Sequence, residues 1–250
     1  MRIRLLVAAL AVLGAFASPA QAGQTNVAVA ANFTEPVKEI AALFKQKTGH
    51  EAILSFGASG PLLAQITHEA PFQVFLSADE ERPKAAVEQG LAIKSTLFTY
   101  AVGKLVLWSR VLDVSNGSAA LKAASFSKLA IANPNAAPYG RAAIEAMQAL
   151  AVDDALKAKI VQGNSIAQTF QFVDTKNADL GLVALSQLFG VTEGTRWRVP
   201  QNLYAPIRQD AVLLKKGEND EASKAFLEFL KGPEARAIIE KFGYALDSGA

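Results

Sequence analysis

The stretch VAVAANFTEP, residues 27–36, decides how the rest of the chain is read. Its first five residues are small or β-branched and apolar without a break. Such a run suits a strand buried on both faces, as in a parallel sheet covered by helices. The run breaks at the uncharged polar residues Asn32 and Thr34, and a helical pattern follows at once. Val37, Ile40, Ala41 and Phe44 repeat at i, i+3, i+4 and i+7, and Gly49 would end that helix. The unit is therefore strand, polar junction, helix.

The same unit recurs along the chain. Further strands are predicted at 52–56, 74–77, 105–108, 129–132, 180–185 and 211–214. Leu62, Leu63 and Ile66 open a second helix, and residues 142–150 and 166–173 supply two more. Ala222, Ala225, Phe226 and Phe229 form an apolar stripe that Gly232-Pro233 stops, and a last helix runs to Phe242-Gly243. Alternating strands and helices predict an α/β architecture. Residues 113–118 and 190–201 read as loops. No Pro/Gly-rich linker cuts the chain, so two lobes would be joined by strands, at 99–104 and 204–209.

The N-terminus, MRIRLLVAALAVLGAFASPAQA, has the three-part layout of a secretory signal peptide, with cleavage expected after Ala22. Its apolar stretch, residues 5–16, is shorter than the roughly 20 residues a membrane span needs. Removing Arg2 and Arg4 from the 25 basic residues leaves 23, against 23 acidic ones. An exported chain of zero net charge, with no basic stripe, is not a nucleic-acid binder, and no later stretch would insert in a membrane. There are no cysteines, so stability must come from the core alone. His50 and His68 are the only histidines, too few for a His-rich metal site, and read as surface residues.

Four strand-to-helix junctions share one chemistry. They are AANFTEP (30–36), SFGASGP (55–61), NPNAAPYG (133–140) and GNSIAQ (163–168). Each combines small residues or prolines with an uncharged hydrogen-bonding side chain. Ser165 and Gln168 spell a capping box. The first turn of a helix has free N–H groups and about half a positive charge, which makes an anion site without a cation. In open α/β sheets such junctions line the ligand crevice. Taken singly, Asn32, Ser59 or Ser165 is an ordinary cap and Tyr139 a packing residue. The repetition is what points to a ligand, with the strand end Ser77-Ala78-Asp79 adding a backbone donor.

With these junctions in place, the chain resembles the periplasmic molybdate-binding proteins of ABC importers, within the type II periplasmic binding proteins. The resemblance rests on Ala30–Thr34, on SFGASG (55–60), on VFLSAD (74–79), on Pro138-Tyr139-Gly140, and on the tail FLEFLKGPEA (226–235) with Phe242-Gly243-Tyr244. It implies two α/β lobes, each a mostly parallel sheet flanked by helices, joined by two crossover strands. Lobe 1 would take residues 23–102 and 208–250, and lobe 2 residues 103–207. It implies a monomeric periplasmic protein that closes on an inorganic oxyanion and delivers it to the permease and ATPase subunits of an importer. No cofactor is implied besides the ligand, and no cation ligands.

Carried across by position, the resemblance gives the ligand Asn32 through its amide, Ser59 through hydroxyl and backbone, the backbone N–H of Ala78, the Tyr139 phenol and the backbone N–H of Ile166. Ala31, Ala58 and Ser165 are additional candidates. Many relatives place Ser at Asn32, and a ligand-facing Tyr where this chain has Ala184; Tyr139 would take that tyrosine's place. Molybdate has no proton at neutral pH, so a pocket made only of donors suits it, whereas hydrogen phosphate would also need an acceptor. Sulfate and tungstate share molybdate's charge. A cage sized for the longer metal–oxygen bonds would leave buried donors unpaired around sulfate, at about 1–3 kcal/mol each. Tungstate, near-equal in size, is expected to bind too.

Rival readings are weaker. No GxSxG, HExxH or phosphate-loop motif appears, and neither histidine has the surroundings of a catalytic triad, so an enzyme is not expected. The tyrosines at 100, 139, 204 and 244 include no adjacent pair of the ferric-binding kind. Sulfate or a small organic anion on the same fold is the alternative ligand class.

Overall fold

The computed structural model describes residues 22–247. The expected signal peptide lies outside them, apart from Ala22. Two five-stranded sheets divide the chain. The first contains β1 (Gln24–Ala30), β2 (Glu51–Gly57), β3 (Val74–Leu76), β4 (Phe98–Gly103) and β10 (Ile207–Leu213), in the order β2-β1-β3-β10-β4. The second contains β5 (Leu105–Ser109), β6 (Leu129–Ala132), β7 (Ile160–Gly163), β8 (Leu180–Ala184) and β9 (Thr195–Arg198), in the order β7-β6-β8-β5-β9. In each sheet the first three strands of that order are parallel, the fourth is antiparallel to both its neighbours, and the fifth returns to the common direction. The chain crosses between sheets twice: through Lys104, and between β9 and β10.

Nine helices among the described residues cover the sheets: α1 (Thr34–Thr48), α2 (Ser59–Thr67), α3 (Glu81–Glu88), α4 (Gly117–Ala123), α5 (Pro138–Ala149), α6 (Asp153–Leu156), α7 (Ile166–Asp174), α8 (Glu221–Lys231) and α9 (Pro233–Lys241). Alternation along a strand sends successive side chains to opposite faces. Val27 and Val29 of β1 therefore pack with Ile40, Phe44, Phe226 and Ile239 from α1, α8 and α9. Ala28, between them, packs with Leu62 and Ile66 of α2. In the second lobe Leu105 and Leu107 meet Ala143 and Met147 of α5, while Val106 and Trp108 meet Val173 of α7 on the reverse face. Trp108 stacks on Phe170 at 5.0 Å between ring centroids. Both faces of both sheets are covered, as the unbroken apolar runs required.

The predicted elements occur, most with shifted ends. Gly49 closes α1 in the left-handed conformation (φ 77°), its N–H donating to the Lys45 carbonyl, a geometry that glycine reaches without strain. Two strands were not foreseen, β7 and β9, the latter inside the expected loop at 190–201; β4 falls where the connecting strand at 99–104 was expected. The expected loop at 113–118 contains the start of α4. Among the described residues no helix is long and apolar enough to cross a membrane.

Candidate functional site

The parallel strands of each sheet end facing the other lobe, and each hands over to a helix there. Four of these handovers meet at one small cavity, lined by residues of the first, second and third junctions together with Ala78 and Ile166. Asn32, Ser59, Ala78, Tyr139 and Ile166, separated by up to 134 positions, all face it, as do Ala31 and Ala58. All seven are buried. No lining residue carries a charge.

Local structure explains the donors. Asn32 sits in the single 3-10 turn Ala31–Phe33 that joins β1 to α1. Ser59 and Ile166 are the first residues of α2 and α7, and Tyr139 the second of α5, behind Pro138. N–H groups at these positions have no partner within their own helix. Four helical starts thus present amides and partial positive charge to one small volume. The Ser59 and Tyr139 hydroxyls stand beside them. Burial drives the Tyr139 phenol well above its ordinary pKa, so it keeps its proton as a donor.

The side-chain contacts engage three of the expected groups inside the protein. The Asn32 amide caps neither its turn nor α1. Both its Nδ2 hydrogens are spent inside the protein, on Gln209 Oε1 (2.8 Å) and on the Tyr244 phenol (2.9 Å). What Asn32 offers the cavity is backbone. The Ala78 N–H donates to Ser59 Oγ at 3.0 Å and so holds that hydroxyl at the cavity. Ser165 is absent from the lining; its Oγ accepts from the Gln168 N–H and caps α7, while Gln168 Oε1 reaches back to the N–H of Asn164, one residue beyond the expected box. Ala184 is buried at the end of β8, in the same apolar cluster as Tyr139, and does not line the cavity. Neither neighbouring acid reaches it: Glu35 pairs with Lys38, and the Asp79 carboxylate holds Arg82 and the Ser77 hydroxyl.

Behind the cavity lies a buried polar network that sequence reasoning missed. Gln209, fully buried on β10, accepts from Asn32 and from the Tyr100 phenol (3.1 Å) and donates to Tyr139 Oη (3.2 Å). Tyr244 donates to the Asn32 carbonyl at 2.8 Å and contacts Ser186 Oγ at 2.9 Å. Gly103, at the end of β4, completes the arrangement, because a Cβ there would overlap Tyr139 Oη and crowd Gln209 Nε2. Burial raises the Tyr100 and Tyr244 phenols as well, so the whole network stays neutral. Among the described residues no cluster of metal-ligating side chains occurs.

The two lobes touch across the cavity mouth. The Gly60 N–H in α2 donates to the Ala136 carbonyl at 3.0 Å, Arg82 Nη2 donates to the Asn135 carbonyl at 3.1 Å, and Arg141 of α5 pairs with Glu81 of α3 at 2.8 Å. The site is closed.

A family profile described as bacterial extracellular solute-binding protein matches residues 25–245. The chain belongs to that family. It is 54% identical over 239 residues to the molybdate-binding protein ModA of Rhodobacter capsulatus, covering 96% of this chain and 95% of that one. It is 49% identical over 237 residues to ModA of Azotobacter vinelandii, covering 93% and 94%. Among solved structures, the periplasmic molybdate-binding protein of Azotobacter vinelandii superposes with a TM-score of 0.86 at 39% identity, over 90% of this chain and all of that one. Family membership makes the protein a binder of solutes and not an enzyme.

Proposed function

We propose that the protein captures molybdate between its lobes and delivers it to the permease and ATPase subunits of an ABC importer. One observation carries this reading: four helix starts and two hydroxyls converge on a small cavity whose buried lining holds no charged side chain. Such a cavity supplies donors only and matches an anion that has no proton to share. The donors come from both lobes, so a bound anion favours the closed state by contacts that the open state lacks. The identity of relatives that align end to end supports the same ligand.

The finer assignments belong to this proposal. The ligand is held by the backbone at Ala31, Asn32, Ala58, Ser59 and Ile166 and by the hydroxyls of Ser59 and Tyr139. Tungstate, of similar size, binds the same way, and sulfate is rejected by the spacing of fixed donors. Residues 23–102 with 208–250 form one lobe and 103–207 the other. Residues 1–22 direct export to the periplasm and are removed after Ala22, leaving a monomer.

Calorimetric titration of ligand-free protein tests the reading. One-to-one binding of molybdate and tungstate is expected, with no heat from sulfate or phosphate at the same ionic strength. Silence toward molybdate, or a preference for sulfate, overturns it.

A further inference from the structure

The two hydroxyls at the cavity share an arrangement that the ligand assignment does not require. Each oxygen already accepts a hydrogen bond from a buried N–H of the protein: Ser59 Oγ from the Ala78 backbone, Tyr139 Oη from Gln209 Nε2. A hydroxyl has a single proton to give. With its oxygen engaged from behind, the proton is free to turn into the cavity. The Tyr244 phenol, which receives an N–H from Asn32, is also in hydrogen-bond contact with Tyr139 and competes with a ligand for its proton.

For Ser59 the backbone occupies one of the two acceptor lone pairs. For Tyr139 the polarity depends on how one side-chain amide is turned. Gln209 Oε1 faces Asn32 Nδ2 and the Tyr100 hydroxyl, both donors, and its Nε2 is left facing Tyr139. Gln209 is fully buried and is not among the cavity-lining residues. We propose that Gln209 is the positioning residue that sets the proton polarity of the cavity, obliging Tyr139 to donate to the anion and never to accept from it. The consequence is specificity. A proton-free oxyanion takes the Tyr139 proton, while hydrogen phosphate finds no acceptor at Tyr139 for its P–OH. This inference rests on the reading of the cavity as the molybdate site.

Gln209→Glu reverses the one bond at issue. The introduced carboxylate still accepts from Asn32 and Tyr100, but it has no N–H for Tyr139 and draws the phenolic proton out of the cavity. When protonated, the same carboxyl donates to Tyr139 and restores the original polarity. Molybdate affinity is therefore measured for the wild type, Q209E, Y139F and the double variant between about pH 9 and pH 5.5, the range in which a buried glutamic acid titrates. Q209E is expected to lose affinity about tenfold or more at the alkaline end and to regain it on acidification. Adding Y139F is expected to bring no further loss at the alkaline end and to abolish the recovery.

Wild-type affinity in Q209E at alkaline pH, or losses that simply add in the double variant, overturns the proposal while leaving the site standing. A wild type silent toward molybdate overturns the site and the proposal together. Should Q209E not fold, Gln209→Met serves. It neither donates nor accepts there, frees the Tyr139 oxygen, and is expected to narrow the molybdate-to-phosphate affinity ratio severalfold; an unchanged ratio overturns the proposal equally.

Discussion

Ser186, just beyond β8 in the second lobe, donates its hydroxyl to the backbone carbonyl of Asn32, at the head of the first helix of the other lobe, at 2.8 Å. The bond is buried and joins residues 154 positions apart. It ties one lobe to the other. Ser186→Ala removes it and leaves Tyr244 alone on that carbonyl. A hydrogen bond of this kind contributes about 1 kcal/mol, so molybdate is expected to bind about fivefold more weakly. Small-angle scattering of the unliganded variant is expected to show a more open average shape. Affinity and scattering both unchanged would show that this contact does not favour closure.

Gly103 is tested by adding one methyl group. Gly103→Ala places a Cβ onto the Tyr139 hydroxyl, with β4 and β10 fixed on either side. Overpacking of this kind costs about 1–3 kcal/mol. Melting temperature and molybdate affinity are both expected to fall, affinity because Tyr139 is displaced from the cavity. A variant that melts lower but binds as before would place the strain away from Tyr139.

Asp79 and Arg82 form an ion pair that is largely shielded from water, with 5% and 18% of their side chains exposed. Asp79 also accepts from the Arg82 backbone N–H at 3.1 Å, and the guanidinium reaches on to Asn135 in the other lobe. Asp79→Asn leaves that guanidinium without its counter-charge and is expected to cost about 3 kcal/mol, read by denaturant unfolding. A loss under about 1 kcal/mol would mark the pair as surface-like.

Asp210 carries a prediction about pH. Burial raises its pKa, opposed by the Thr99 hydroxyl that donates to it at 2.7 Å, with the charge of Glu80 pushing it further up. A carboxyl whose folded pKa lies above its unfolded value near 3.9 is tolerated best when protonated. Its ionised form therefore weighs against folding, increasingly as pH rises from about 3.9 through the raised value. Asp210→Asn, which keeps an acceptor for Thr99, is expected to melt higher than wild type at neutral pH and to lose that advantage near pH 3.5. A lower melting temperature at neutral pH would contradict this.

Much of the fold was legible because most strands are buried on both faces. Leu129–Ala132, fully buried, emerged with its ends correct. The strands that escaped notice, β7 and β9, are both edge strands. In β9 the half-buried Thr195 and Trp197 alternate with the exposed Arg196 and Arg198, so no continuous apolar run forms. A search for such runs passes over strands that bury a single face. The site divides in the same way. Helix starts are local features, and they gave Asn32, Ser59, Tyr139 and Ile166 correctly as neighbours. The orientation of the Asn32 amide is not local, since its partners Gln209 and Tyr244 lie 177 and 212 positions further on.

The exchange of strands between the sheets has a consequence for how the chain is made. All five strands of the second sheet fall between Leu105 and Arg198, whereas the first sheet needs β10 to join β3 to β4. During synthesis from the N-terminus, the lobe encoded in the middle is thus the first whose sheet can be completed. The lobe that begins the chain must wait, with β3 and β4 unjoined, for a strand delivered about a hundred residues later, after its partner's last strand. The sheet encoded in the middle of the chain can thus be complete before the outer one, and the cavity between the lobes can be finished only after both.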